Sequence, residues 1–195
     1  MDKNSIIIVG GSCFVNEVDF KKINFDKYDI LCINRPILDV PVKYLCCHDS
    51  DFRACHTQKE VKQIEQQSLN LVFIAPKTEF IHKSTGWDYK YNEINLNKNE
   101  KWLGFCLYTC SSAVNFAYLK GYENVYLIGI DLEENNKPFT HWHGITNTIN
   151  VSPSSAKEAK EYLYRYKKLL NMYQVNPKVA KQWQIPYCRI ERLYK

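Results

Sequence analysis

SIIIVGG, residues 5–11, is a run of β-prone apolar residues that ends in a glycine pair. An unbroken apolar run of this length predicts a strand buried on both faces, and the glycines predict a tight turn at its end. Strands covered on both sides are characteristic of parallel sheets whose crossovers pack above and below them. Further short runs follow: DILCIN (29–34), VKYLCC (42–47), LNLVFIAP (69–76) stopped by Pro76, NVYLIGID (124–131), and MYQV (172–175) before Asn176-Pro177. Helical patterns lie between them. Gln58 to Gln67 reads as a polar helix with Val61 and Ile64 inward. Residues 110–120 carry Val114, Ala117 and Tyr118 at helical spacing, with Thr109 as N-cap and Gly121 as the stop. Ser155 and Glu158 form a capping-box signature for a helix ending near Leu170. Strands alternating with helices imply an α/β fold with a mostly parallel sheet. Residues 77–105 carry no pattern that assigns them.

The chain of 195 residues has no Gly/Ser- or Pro-rich divider, so one domain over 1–195 is expected. The N-terminal apolar run is too short for a signal peptide and no segment reaches bilayer-spanning length. The expected location is therefore cytoplasmic, with room for peripheral contact at the inner face of the membrane. Eight cysteines in such a chain read as reduced thiols used in packing. The net charge of +5 is spread among interspersed acids, which argues against nucleic acid as a partner. The most basic stretch, KEAKEYLYRYKKLL (157–170), contains Glu158 and Glu161. With Ala156, Ala159, Leu163, Tyr166 and Leu170 on one side, it reads as a helix with a solvated face.

YLCCHDSDFRACH (44–56) has the composition of a metal site but the wrong spacing. Cys46 and Cys47 are adjacent, as are Cys55 and His56, and adjacent side chains of an extended strand point to opposite faces. The expectation is a buried strand using cysteine as a small hydrophobe, with His48 and Asp49 on the rim and no metal site.

Open α/β sheets bind ligands beyond the carboxyl ends of their strands, where the strand order reverses. That rule selects Gly10-Gly11-Ser12, Asn34-Arg35, His48-Asp49 and Gly129-Ile130-Asp131. Gly10 and Gly11 would allow close backbone approach to a phosphate or sugar. The dinucleotide fingerprint is absent and the second strand would end in Asn34 where a dinucleotide site wants a carboxylate, which argues against NAD, and the missing Walker lysine motif excludes a P-loop ATPase. YTCSSAVN (108–115) places Thr109, Cys110, Ser111 and Ser112 on a first helical turn. That turn is either an anion site or an ordinary helix start with small packing residues. FTHWHG (139–144) offers His141 and His143 as a base beside an apolar platform, close in sequence to Asp131.

The order of these pieces resembles the bacterial sialyltransferases of glycosyltransferase family 42 and their wider relatives, the DUF115 or MptE-like proteins. The resemblance spans nearly the whole chain and is most specific over TCSSAVNFAYLKGYENVYLIGIDL, especially residues 109–131. It implies a single Rossmann-like domain with a shortened lid subdomain. It also implies that Gly10, Gly11 and Ser12 face a CMP-linked nucleotide, that Asn34 and Asp49 contact ribose or donor, and that Thr109, Cys110 and Ser111 lie against the donor. Asp131 matches the family's aspartate at the strand end, and His141 the histidine of an SHY-type motif. Departures are visible: the first turn reads GGSCF, Asp49 replaces an asparagine, and the position of the family's catalytic-base histidine falls at Ile145. The segment from Leu132 to Thr140 is short and holds no tyrosine for a leaving phosphate.

The leading expectation is a small nucleotide-sugar-dependent glycosyltransferase acting on a glycan or small acceptor, with His143, His141 and Asp131 catalytic. No metal or other cofactor is expected for that chemistry, and homo-oligomerisation is left open. The alternatives are an MptE-like diphosphokinase needing ATP and Mg²⁺, with Arg35 as the lone basic group near a strand end, and a non-catalytic nucleotide-binding module.

Overall fold

The computed structural model describes residues 3–47, 57–67, 70–73, 88–91, 93–100, 102–105, 108–131, 139–140, 146–147 and 153–195. Six strands form one sheet: β1 (Ser5–Val9), β2 (Tyr28–Ile33), β3 (Tyr44–Cys47), β4 (Asn70–Phe73), β7 (Asn124–Ile128) and β10 (Asn171–Gln174). Their spatial order is β10-β7-β1-β2-β3-β4, and each pairing is parallel. Strand β1 lies between β2 and β7, with Ile7 opposite Ile30 on one side and Tyr126 on the other. This central position explains its unbroken apolar run: Ile6, Ile7 and Ile8 have no exposed surface. Burying each such side chain contributes about 1.5–3 kcal/mol.

Alternation divides the core into two layers. Ile6, Ile8, Leu31, Cys46, Val125 and Leu127 face helices α2 (Thr109–Leu119) and α3 (Pro153–Tyr166). Ile7, Val9, Ile30, Cys32, Leu45, Cys47 and Ile128 face Val15, Phe20, Ile23, Cys188 and Leu193. The second layer is thus roofed by short 3-10 turns at Cys13–Glu17 and Phe20–Lys22 and by the C-terminal segment. An isolated bridge between Ile23 and Tyr194 ties the two together. Cys46 and Cys47 fall in opposite layers, as a period of two requires, so their thiols cannot share an ion.

Helix α1 (Gln58–Gln66) corrects the expected inner face. Val61 is half-buried and the Ile64 side chain lies outside the described residues, while Glu60 and Gln63 are buried. The reason is unpaired backbone in the loop after β2, which these polar side chains satisfy. Gln63 accepts from the Asp39 amide at 3.0 Å and donates to Ile37 O at 2.8 Å. Gln67 does the same for Val42 N and Val40 O. Thr57 and Glu60 form a capping box at the helix start, which the sequence reading passed over.

Residues 88–91 and 102–105, inside the unassigned region, are strands β5 (Asp88–Tyr91) and β6 (Trp102–Phe105), a separate parallel pair. Buried Asn115 of α2 holds this unit: its Oδ1 accepts from Gly104 N at 2.6 Å and its Nδ2 donates to Asn95 O at 2.9 Å. Strands β8 (Phe139–Thr140) and β9 (Thr146–Asn147) form a two-residue antiparallel pair.

Other boundaries also shift. The N-cap of α2 is Tyr108, with Thr109 its first helical residue. Gly121 ends it as expected, at φ +83°, with Tyr122 N bonded back to Ala117 O. Helix α3 begins at Pro153 and ends at Tyr166, short of Leu170, and the side chain of Ser155 lies outside the described residues. Helix α4 (Pro177–Trp183) was not anticipated. Among the described residues no helix is long and apolar enough to cross a membrane.

Candidate functional site

Chain order runs β1-β2-β3-β4 in one direction and β7, then β10, in the other, so the reversal falls between β1 and β7. Beyond the carboxyl ends of those two strands the backbones cross at close range. Gly10 N donates to Ile128 O at 2.8 Å and Ser12 N to Gly129 O at 3.0 Å. A Cβ on Gly10 would collide with Gly129 O and Ile130 Cγ1. Gly129 has φ +66°, and a Cβ there would strike the Val15 side chain. Both glycines are therefore required by this crossing before any ligand is considered.

The crossing brings Ser12 to Asp131, 119 residues apart in sequence. Ser12 Oγ donates to Asp131 Oδ2 and accepts from Phe14 N at 3.2 Å, capping the first 3-10 turn. Asn176, the N-cap of α4, donates from Nδ2 to the same carboxylate oxygen at 3.5 Å. Gln174, with no exposed surface, donates to Ile130 O at 3.1 Å and accepts from the amides of Val175 and Asn176. Asp131 is half-buried, and its carboxylate receives these hydroxyl and amide donors just beyond the carboxyl end of β7. Such a group can accept hydrogen bonds from the hydroxyls of a sugar or ribose.

Asn34 follows β2 in the left-handed region, φ +62°, with its amide bonded to Cys46 O at 2.9 Å. Arg35 is 13 % exposed and its guanidinium contacts both oxygens of buried Glu60 at 3.1 Å. That arginine is committed to fastening α1 under the loop, which removes it as a phosphate clamp for the diphosphokinase alternative.

The first turn of α2 lies on the inner side. Ser111 Oγ donates to Tyr108 O at 2.7 Å and Ser112 Oγ to Gly104 O at 3.0 Å; both residues have no exposed surface. Cys110 is buried in the same apolar layer as Cys46. Burial, with Cys110 adjacent, pushes the Cys46 thiol well up, and burial pushes Cys32 up to about 12. Cys32 and Cys46 are packing groups and stay protonated. Thr109 is buried at the head of the same turn.

Gly10, Ser12 and Asp131 are thus brought together, Asn34 stands at the neighbouring strand end, and Thr109 to Ser111 form a buried turn below. Asp49, His141, His143 and the segment 132–138 lie outside the described residues. Sequence reasoning missed Gln174 and Asn176. The signal was the Asn-Pro pair, read as a strand stop although it also marks an N-cap followed by proline at N1. Among the described residues no three His, Cys, Asp or Glu side chains cluster to hold a metal ion.

No protein-family model matches the sequence, and no curated protein sequence matches it either. Solved structures do share its fold. The chain is similar to the sialyltransferase CstII in complex with a trisaccharide acceptor and CMP, with a TM-score of 0.53 and 16% identity, covering 95% of this chain and 86% of that one. A structure of CstII from Campylobacter jejuni with the substrate analogue CMP-3FNeuAc gives 0.52 and 16%, covering 100% and 89%. The monofunctional α-2,3-sialyltransferase Cst-I from Campylobacter jejuni gives 0.56 and 15%, covering 96% and 81%. The shared property is the α/β fold with its mostly parallel sheet.

Proposed function

We propose that this protein is a nucleotide-sugar-dependent glycosyltransferase that transfers a sugar, with CMP as the leaving group, to a glycan or small acceptor. The observation that carries the reading is the meeting of the loops after β1 and β7 at the point where the strand order reverses, with Ser12 holding the Asp131 carboxylate there. The fold shared with sialyltransferases solved with CMP or a CMP-sugar analogue supports it.

In the proposed reaction the acceptor oxygen forms a bond to the anomeric carbon as the bond to the CMP phosphate breaks. His143 or His141 takes the acceptor proton, and Asp131 orients the donor by accepting from its hydroxyls. The segment from Leu132 to Thr140 holds no tyrosine to protonate the departing phosphate, so CMP leaves as a well-stabilised anion without that help. Water that reaches the donor competes with the acceptor, giving hydrolysis as a side reaction.

The test is a melting-temperature and calorimetry panel of CMP, CMP-sialic acid, UDP-sugars, GDP-sugars and ATP, each with Mg²⁺ and with chelator, followed by a CMP-release assay. Selective stabilisation by CMP compounds, unchanged by chelator, together with CMP release that falls on His143→Ala and His141→Ala, is expected. Binding of ATP only with Mg²⁺ would overturn the reading. Binding of CMP with no turnover in the presence of acceptor glycans would reduce it to a nucleotide-binding module.

A further inference from the structure

Asn176 makes hydrogen bonds in two directions. Its Oδ1 accepts from Lys178 N at 3.0 Å and caps α4, while its Nδ2 reaches Asp131 Oδ2 at 3.5 Å. Capping alone does not require asparagine, since serine or aspartate caps a helix equally well. The second contact draws on the amide's N–H and on its reach: aspartate offers no donor, and a serine hydroxyl held on the cap is one bond shorter than Nδ2, which is already 3.5 Å from Asp131.

The neighbouring glutamine fixes where that amide points. Gln174 Oε1 accepts from Val175 N at 3.0 Å and Asn176 N at 3.2 Å, and its Nε2 donates to Ile130 O at 3.1 Å. One fully buried side chain thereby ties the β10–α4 turn to the residue just before Asp131. A buried amide left unbonded is costly, so its pairing at both ends links the two segments firmly. On the opposite side Ser12, itself fixed by Phe14 N, donates to the same Asp131 oxygen. Three loops, after β1, β7 and β10, therefore converge on one carboxylate.

We infer that Asn176 is a positioning residue for Asp131, with Gln174 setting the geometry between them, so that the carboxylate is held ready to accept from a hydroxyl of the nucleotide sugar. This rests on the nucleotide-sugar reading above. Asn176 acts through Asp131, whose rotation is restricted by donors from two sides before any ligand arrives.

Two variants separate positioning from helix capping. Asn176→Ser keeps the α4 cap and, with a side chain one bond shorter, draws the donor back out of reach of Asp131, whereas Asn176→Ala removes both cap and donor. In Asn176→Ser the melting temperature is expected to stay within about 2 °C of the parent while CMP-sialic acid affinity falls about tenfold, the scale of one hydrogen bond to a charged group. Affinity equal to the parent in Asn176→Ser would overturn the inference. So would joint loss of stability and affinity in Asn176→Ala with both restored by Asn176→Ser, since that pattern belongs to a cap alone. If the parent protein does not bind CMP-sialic acid, the functional reading fails, and the contact is decided in the ligand-free protein by NMR. There the Asn176 side-chain amide signals should move on Asp131→Ala; signals that stay in place would overturn the inference.

Discussion

Two aspartates at opposite ends of the sheet are held in different ways. Asp29, at the amino end, is buried and faces Lys3 at 3.0 Å, Lys43 at 2.6 Å and the Tyr122 hydroxyl at 2.6 Å. Burial alone would raise its pKa, but Lys43, Tyr122 and Lys3 outweigh it and hold the carboxyl below the usual carboxylate range. Lys43 is raised in turn: burial opposes the shift, and Asp29 supplies the largest compensation. This arrangement staples the starts of β1, β2, β3 and β7 together. Asp131, at the carboxyl end, is only half-buried, and Ser12 and Asn176, both neutral, donate to it. A carboxylate saturated by cations at the amino end serves the fold, whereas Asp131 stands at the strand-order reversal where open α/β sheets take their ligands.

The comparison is broken most severely at the crossing that builds the crevice. Gly129→Val puts a β-branched residue at φ +66° against Val15 and should cost about 3–5 kcal/mol in chemical denaturation. Gly121→Ala, at φ +83° but with open space around it, should cost only about 1 kcal/mol. Second only to Gly129→Val, Asp29→Ala should lose about 3 kcal/mol by leaving its partners unpaired, with no effect on nucleotide affinity per folded molecule. The sign of the pH effect follows from the lowered pKa of Asp29. Its contribution is fully present above the unfolded-state carboxylate pKa of about 4 and is lost as pH falls through the lower folded-state value. The parent should therefore lose stability below about pH 4 more steeply than Asp29→Ala when melting is followed against pH. Smallest in stability is Asp131→Asn, expected within about 1 kcal/mol of the parent, yet with CMP-sialic acid affinity lowered at least about tenfold. A large stability loss in Asp131→Asn with unchanged affinity would make the two aspartates equivalent and remove the distinction.

Much of the fold was legible because buried parallel strands announce themselves. Runs such as Ile6–Ile8 and Val125–Ile128 are apolar on both faces and end at glycines that the crossing demands. The strand at 172–175 was found within one residue of β10. What stayed hidden had its cause in distant contacts. Strands β5 and β6 are short and depend on Asn115 and Asn95, whose partners cannot be inferred from local pattern. The inner face of α1 was misjudged because its polar side chains serve a loop that sequence periodicity does not see. Within the candidate site, Gly10, Ser12 and Asp131 followed from the strand-end rule, while Gln174 and Asn176 required knowing that β10 lies beside β7.

The most direct test of the account is an amide chemical-shift map of the ¹⁵N-labelled protein titrated with CMP. Shifts concentrated at Gly10, Gly11, Ser12, Ile130, Asp131 and Asn176, with Asp29, Lys43 and Tyr122 unmoved, are the predicted result. Shifts gathered instead around Lys3, Asp29 and Lys43, where a cavity of about 310 Å³ opens at the amino end, would contradict the assignment of the site to the β1–β7 crevice.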